Sequence, residues 1–149
     1  MRFSVRTDYA LRAALDLAAH YGRGPVQMHE IASRQEVPPR FLEQLMLALR
    51  RSRMVESKRG ARGGYSLVRR PDRITLREIV EALEGTVVLL DCLDETAERG
   101  CERASSCAIR EALMQAQGRM LRSLESWSLA DLLTRQRELE RRCELTYEI

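Results

Sequence analysis

Three of the four cysteines in this 149-residue chain, Cys92, Cys101 and Cys107, fall within sixteen residues of one another. Thiolates are soft ligands, and iron–sulfur clusters are held mainly by them. A mononuclear zinc site usually pairs its ligands about two to four residues apart. Here eight and five residues intervene, a spacing that suits a larger, polynuclear centre. Two other readings stay open: a redox disulfide between two of the three, or inert thiols. No Cys-x-x-Cys and no Cys/His nucleophile pair is present, which weighs against a cysteine-dependent oxidoreductase. Cys143 lies far along the polar tail and reads as an unliganded thiol.

The elements around these cysteines separate into two halves by charge. Residues 1–73 hold 15 Lys and Arg against 7 Asp and Glu, a balance of +8, and residues 74–149 hold 10 against 15, a balance of −5. A basic module that binds a polyanion, carried on a second element, is the expectation. A small iron–sulfur electron carrier would not need it. Lys58 is the only lysine. Arginine suits bidentate contacts to phosphate and guanine, although codon bias toward Arg accounts for the same composition. Hydrophobic residues at 44% and charged residues at 32% exclude disorder and low complexity. The densest apolar stretch, Leu11 to Ala19, is broken by Arg12 and Asp16, so no membrane span is expected. Arg2, Arg6 and Asp8 leave no room for a signal peptide near the start, and the expected location is cytoplasmic, where a reducing milieu disfavours structural disulfides.

Periodicity places a first helix over Thr7 to Tyr21, capped by Thr7 or Asp8 and stopped by Gly22 and Gly24. A second covers Val26 to Arg34. After a break at Gln35 to Val37, Pro38 and Pro39 open a third that carries Phe41, Leu42, Leu45, Met46 and Leu49. Two short helices around a tight turn fit a helix-turn-helix. Val55–Lys58 and Tyr65–Val68 then read as strands joined by Arg59-Gly60-Ala61-Arg62-Gly63-Gly64, a basic, glycine-rich hairpin of the kind that forms a wing. It lacks the Gly-Lys-Ser/Thr of a nucleotide loop.

In this arrangement Arg40, Glu43 and Gln44, beside exposed Pro38 and Pro39, face base edges. Arg50, Arg51, Lys58, Arg59 and Arg62 serve phosphates or the minor groove, and Gly60, Gly63 and Gly64 let the backbone approach a phosphate. A fourth helix starts at Ile74-Thr75-Leu76 and ends at Gly85, followed by an apolar run from Val87 to Leu90. Asp91 to Ser106 form an irregular loop. A long helix runs from about Cys107 to Trp127, its apolar stripe formed by Ile109, Leu113, Ala116, Met120, Leu124 and Trp127. That stripe is close to a coiled-coil seam and predicts a homodimer contact, with an ordinary core helix as the alternative. Ser128 and Asp131 cap a last short helix through Leu133, and the charged tail from Arg135 is expected to fray.

The fold class is therefore mainly α: a winged helix-turn-helix DNA-binding domain over residues 1–85, a cysteine loop over 86–106, and a long dimerisation helix with a C-terminal tail over 107–149.

Thr7-Asp8-Tyr9-Ala10-Leu11-Arg12-Ala13, Phe41-Leu42-x-x-Leu45, Ser57-Lys58-Arg59-Gly60-x-x-Gly63-Gly64-Tyr65-x-Leu67, Ile74-Thr75-Leu76 and Glu84-Gly85 occur in this order. The set resembles the winged-helix regulators typified by IscR and NsrR, the Rrf-two family. The resemblance implies a dimer joined by a long crossed helix and bound to a roughly palindromic site on double-stranded DNA. It also implies a [2Fe-2S] or [4Fe-4S] cluster on Cys92, Cys101 and Cys107, controlled by nitric oxide, redox state or cluster supply. A metal-free thiol–disulfide regulator of the same fold is the alternative. IscR-like members place a histidine three residues after the last cysteine, where this chain has Arg110, which cannot ligate. NsrR-like members use an aspartate from the other subunit at the start of the first helix, a position matched by Asp8. Asp8 read on its own is equally a helix N-terminal charge. Glu111, His29 and His20 are weaker candidates.

Overall fold

The structure, a computed structural model, describes residues 3–94 and 101–147. Among them, α1 (Val5–Ala19), α2 (Met28–Gln35) and α3 (Pro39–Arg51) precede a two-stranded antiparallel sheet, β1 (Val55–Lys58) and β2 (Gly64–Leu67). Then follow α4 (Leu76–Glu84), α5 (Ala108–Glu125) and α6 (Leu129–Tyr147). This is the mainly helical winged architecture anticipated above.

Ala10, Ala13, Ala14 and Leu17 of α1 are buried, and their small side chains let α3 and α4 pack close to it. Neither Thr7 nor Asp8 is the cap. Ser4 caps α1, its hydroxyl accepting from Thr7 N–H at 3.4 Å, so the helix begins at Val5. The reason lies across the fold. Thr7 is fully buried, and its hydroxyl donates to Glu84 at the end of α4. The same carboxylate oxygen accepts the Ser4 N–H at 2.8 Å and the Ser4 hydroxyl at 2.7 Å. These bonds, that from Thr7 foremost, hold the Glu84 carboxyl below the usual glutamate range.

Asp16, 5% exposed, ties α1 to α2. Arg34 donates to both of its oxygens at 2.8 Å, and Gln35 adds a bond at 3.1 Å. Such a bidentate pair is geometrically specific as well as charge-assisted. Helix α2 starts at Met28 rather than Val26, because Val26 is committed to the wing. It exchanges two backbone hydrogen bonds with Tyr65, each of 2.8 Å. Glu36 in the left-handed region (φ 51°) ends α2 and turns the chain into α3. There Leu42, Leu45, Met46 and Leu49 fill the core. Thr75 caps α4 reciprocally with Glu78, accepting its N–H at 3.3 Å while Glu78 accepts the Thr75 N–H at 2.9 Å.

The C-terminal part differs most from expectation. Helix α5 spans Ala108–Glu125 with Cys107 as its cap. Ser128 and Asp131 do cap α6, with the Ser128 N–H reaching Asp131 at 2.9 Å. However, α6 does not stop at Leu133, and the tail from Arg135 is helical through Tyr147. No glycine or proline follows Leu133 to interrupt it, and Arg135–Glu138 and Gln136–Glu140 pairs at 2.8 Å brace its exposed turns. Leu129 is fully buried in the core shared by α1 to α4, with Leu132 and Leu133 packed against it. Of the apolar run after α4, Val87 is buried whereas Leu90 is 43% exposed.

A group whose pKa is depressed by folding stabilises the fold above its unfolded value and loses that contribution as pH falls through the folded value. Glu84→Gln is therefore expected to lower the thermal midpoint at pH 7. The gap from the parent should narrow once pH drops below the ordinary glutamate value of 4.5. Calorimetric melts from pH 7 to about 3 check this; a gap independent of pH would assign the effect to packing.

Candidate nucleic-acid interface and cysteine loop

The inward face of α3 is apolar, and its outward face is open. Arg40, Glu43, Gln44, Leu47 and Arg50 line one wall of a groove whose other wall is Tyr65 of β2. Pro38, Pro39 and Arg51 are exposed at the two ends of the helix. Leu47 and Tyr65 were not anticipated as part of this surface. The signal for Leu47 was its spacing of three and four residues from Gln44 and Glu43, on the polar side of the helix.

The wing is pinned on both sides. Beyond the Val26–Tyr65 exchange, Gln27 Nε2 donates to Ala61 O at 3.1 Å near the hairpin tip. Gly63 and Gly64 have a reason internal to the chain. A Cβ on Gly63 would lie 2.2 Å from Lys58 O, and one on Gly64, at φ +144°, would lie 2.3 Å from Val26 O. Their close approach is to this backbone. Gly60 (φ +110°) has open space beside it, and Lys58, Arg59, Gly60 and Arg62 are all exposed.

Cys92 sits in a single 3-10 turn, Asp91–Leu93, anchored by buried Leu93. Cys107 caps α5, its Sγ accepting the Arg110 N–H at 3.4 Å, and Arg110 Nε donates to Cys92 O at 3.3 Å. One arginine thus brings the Cys92 and Cys107 segments to the same end of α5. Cys101 lies on the intervening loop, of which residues 95–100 fall outside the described residues. All three thiols are free and half-buried, and Cys143 is free and exposed. Among the described residues, no three His, Cys, Asp or Glu side chains converge into one metal-sized group. Partly open thiols borne on one loop are nonetheless the donor set that iron–sulfur clusters take.

Asp8 is exposed and paired with Arg12 at 2.9 Å. Of the weaker candidates, His20 is engaged through Nδ1 with Asp16 O at 2.8 Å, while His29 and Glu111 are exposed.

Helix α5 buries no side chain in the single chain. Ile109 is 68% and Trp127 40% exposed. Ala116 is exposed, and Leu113, Met120 and Leu124 are half-buried. Met114, 47% exposed, adds to this apolar surface although the stripe omitted it.

Comparison with known proteins gives these surfaces a context. Residues 3–135 match the family described as "Rrf2: Iron-dependent Transcriptional regulator". The chain belongs to the Rrf2 family. An rrf2-like HTH-type transcriptional regulator of Rhodobacter capsulatus is 36% identical over 134 residues, 86% of this chain and 89% of that protein. The fold is similar to that of CymR (YrzC), the global cysteine regulator of B. subtilis, with a TM-score of 0.74. That match has 33% identity and covers 90% of this chain and 97% of that one. IscR of T. potens aligns with a TM-score of 0.73 and 30% identity, over 93% and 90% of the two chains.

The chain is accordingly a winged-helix, DNA-binding transcriptional regulator and not an enzyme. Among its described residues, no helix is long and apolar enough to cross a membrane.

The exposed wing generates a prediction. Arg59→Ala should weaken DNA binding and reduce the slope of log affinity against log salt by about one unit, as for loss of a single phosphate contact. Affinities identical to the parent at low and high salt would remove Arg59 from the interface.

Proposed function

We propose that this regulator binds a near-palindromic operator in the cytoplasm as a homodimer, its affinity set by an iron–sulfur cluster on Cys92, Cys101 and Cys107. The observation that carries the reading is the Arg110 clasp, which bonds the Cys107 thiol and the Cys92 backbone carbonyl at the head of an otherwise unburied helix. The iron-dependent description of the family and the likeness to IscR support it. When bound, the cluster supplies a redox-active centre that reacts with nitric oxide or oxygen. The protein's part is to present three soft donors and keep them partly open. Asp8, exposed at the start of α1 and paired there with Arg12, would serve a partner chain as the fourth, harder ligand. A metal-free thiol–disulfide switch is the second reading, favoured by the likeness to CymR and by the three free thiols.

In either case the signal can shift DNA binding only by the difference in affinity between the two states. A tenfold response needs about 1.4 kcal/mol of coupling. In this proposal the form holding a cluster on Cys92, Cys101 and Cys107 would be the tight binder, and its loss would release the operator.

Anaerobic purification separates the two readings. A brown protein with visible absorption is expected, with the absorption lost in Cys92→Ser, Cys101→Ser or Cys107→Ser. Asp8→Ala should retain a cluster with an altered spectrum and weakened coupling to DNA. A colourless, iron-free protein whose DNA affinity responds to thiol oxidants would replace the cluster reading by the disulfide one.

The apolar surface of α5 is the proposed two-fold contact. Met120→Glu would bury an uncompensated charge there, at a cost of about 3–5 kcal/mol, and the variant should sediment as a monomer at micromolar concentration. A variant that remains dimeric would place the contact elsewhere.

A further inference from the structure

Helix α3 segregates its residues cleanly: Leu42, Leu45, Met46 and Leu49 are buried, and Arg40, Glu43, Gln44 and Arg50 are exposed. Two large apolar side chains break the rule, and one of them is explained within the chain. Phe41, 49% exposed, makes an edge-to-face contact with Tyr9 at a centroid distance of 6.4 Å. Leu47, 44% exposed, lies one turn beyond Glu43 and lines the groove between α3 and Tyr65 together with charged and amide side chains. Single exposed leucines on a protein surface need no explanation. This one lines the groove beside Arg40, Glu43, Gln44, Arg50 and Tyr65, each of which can hydrogen-bond where it cannot.

The groove is also fixed in shape. Its far wall is held by the two 2.8 Å bonds between Tyr65 and Val26, and its near wall by the buried face of α3. A side chain there meets the bound duplex without first being ordered. The floor of the DNA major groove offers hydrogen-bond donors and acceptors on every base, but thymine alone also offers an apolar group, its 5-methyl.

We propose that Leu47 is a specificity-determining residue that packs on the methyl group of one thymine in each half-site. The inference rests on the assignment of α3 as the reading helix. Leu47 is four residues, hence about 6 Å of helix rise, from Glu43. At about 3.4 Å per base step, its thymine lies within about two base pairs of the base that Glu43 contacts.

The test uses the full chain, purified anaerobically, and a duplex obtained by in vitro selection with that protein. Each thymine in turn is replaced by deoxyuridine, which pairs identically but lacks the methyl. One thymine per half-site should show a loss of about fourfold on replacement, the size expected for burial of a single methyl group. Leu47→Ala should bind the thymine duplex more weakly by a similar factor. It should be indifferent to uracil at that step and keep the parent's salt dependence. Leu47→Met, which still offers an apolar end, should restore much of the thymine preference. Because Leu47 is exposed, both variants should melt within a degree or two of the parent.

Two outcomes overturn the proposal while leaving α3 as the reading helix: no thymine is sensitive to loss of its methyl, or Leu47→Ala retains the parent's thymine-to-uracil ratio. A parent protein that enriches no sequence at all would overturn the reading helix together with this proposal.

Discussion

Leu129 N–H donates to Ile74 O at 2.9 Å, and Leu76 N–H donates to Trp127 O at 2.8 Å. Leu129 itself is fully buried among residues of α1 to α4. Through this exchange the junction between α5 and α6 becomes part of the winged head. It fixes the C-terminal end of α5 against the head, while the Leu89–Gln117 bond and the Arg110–Cys92 bond hold the helix further along. The ion pair of Arg77 with Glu125, at 3.1 Å, reinforces the same junction from the solvent side. Its exposed setting makes it the lesser contribution.

The reading head depends on close backbone approaches in the same way. Small residues on α1 leave room for α3 and α4. Gly64 lets β2 come against Val26, so that the wing is effectively hydrogen-bonded to the segment ahead of α2. The Asp16–Arg34 pair and the Glu84 carboxylate then close the head at two places far apart in sequence. Of the two carboxylates only Asp16 is buried, and removing its arginine would leave that charge uncompensated. The exposed surfaces of α3 and the wing are thus held in place by the packing and backbone bonds behind them.

Much of this architecture is legible in the sequence. The spacing of Leu42, Leu45, Met46 and Leu49 defines α3, and the Lys58-Arg59-Gly60 and Gly63-Gly64 runs define the hairpin, because local periodicity and turn chemistry act over a few residues. Ser128 with Asp131 signals a cap for the same reason. What escaped was governed by distant partners. Thr7 looks like a cap, yet its hydroxyl serves Glu84, seventy-seven residues away. Val26 continues the helical pattern of α2, yet its backbone belongs to β2. The polar stretch after Leu133 has no strong apolar stripe, and its helicity follows from Leu129, Leu132 and Leu133 anchoring its first turns to the head. The three cysteines were visible as a group in sequence, whereas the clasp between Arg110 and the Cys92 carbonyl could be seen only in three dimensions.

Helix α5 has a mechanical consequence. Its bonds to α4 and to the segment that follows α4 fall at Glu125, at Gln117, where Gln117 accepts the Leu89 N–H at 2.8 Å, and at Arg110, which donates to Cys92 O at 3.3 Å. The rod carries no buried side chain from Ala108 to Glu125. Eighteen residues at 1.5 Å each make a lever of about 27 Å with its fulcrum beside the Ile74–Leu129 weld. A tilt of about 5° at Ser126 carries the tip through roughly 2 Å at that length. A displacement of that size at the cysteines is geared down to a rotation of a few degrees at the head, small enough to leave the core hydrogen bonds intact. Repeated in a second subunit, the same rotation would alter the span between two reading helices, to which a duplex of fixed helical pitch responds directly.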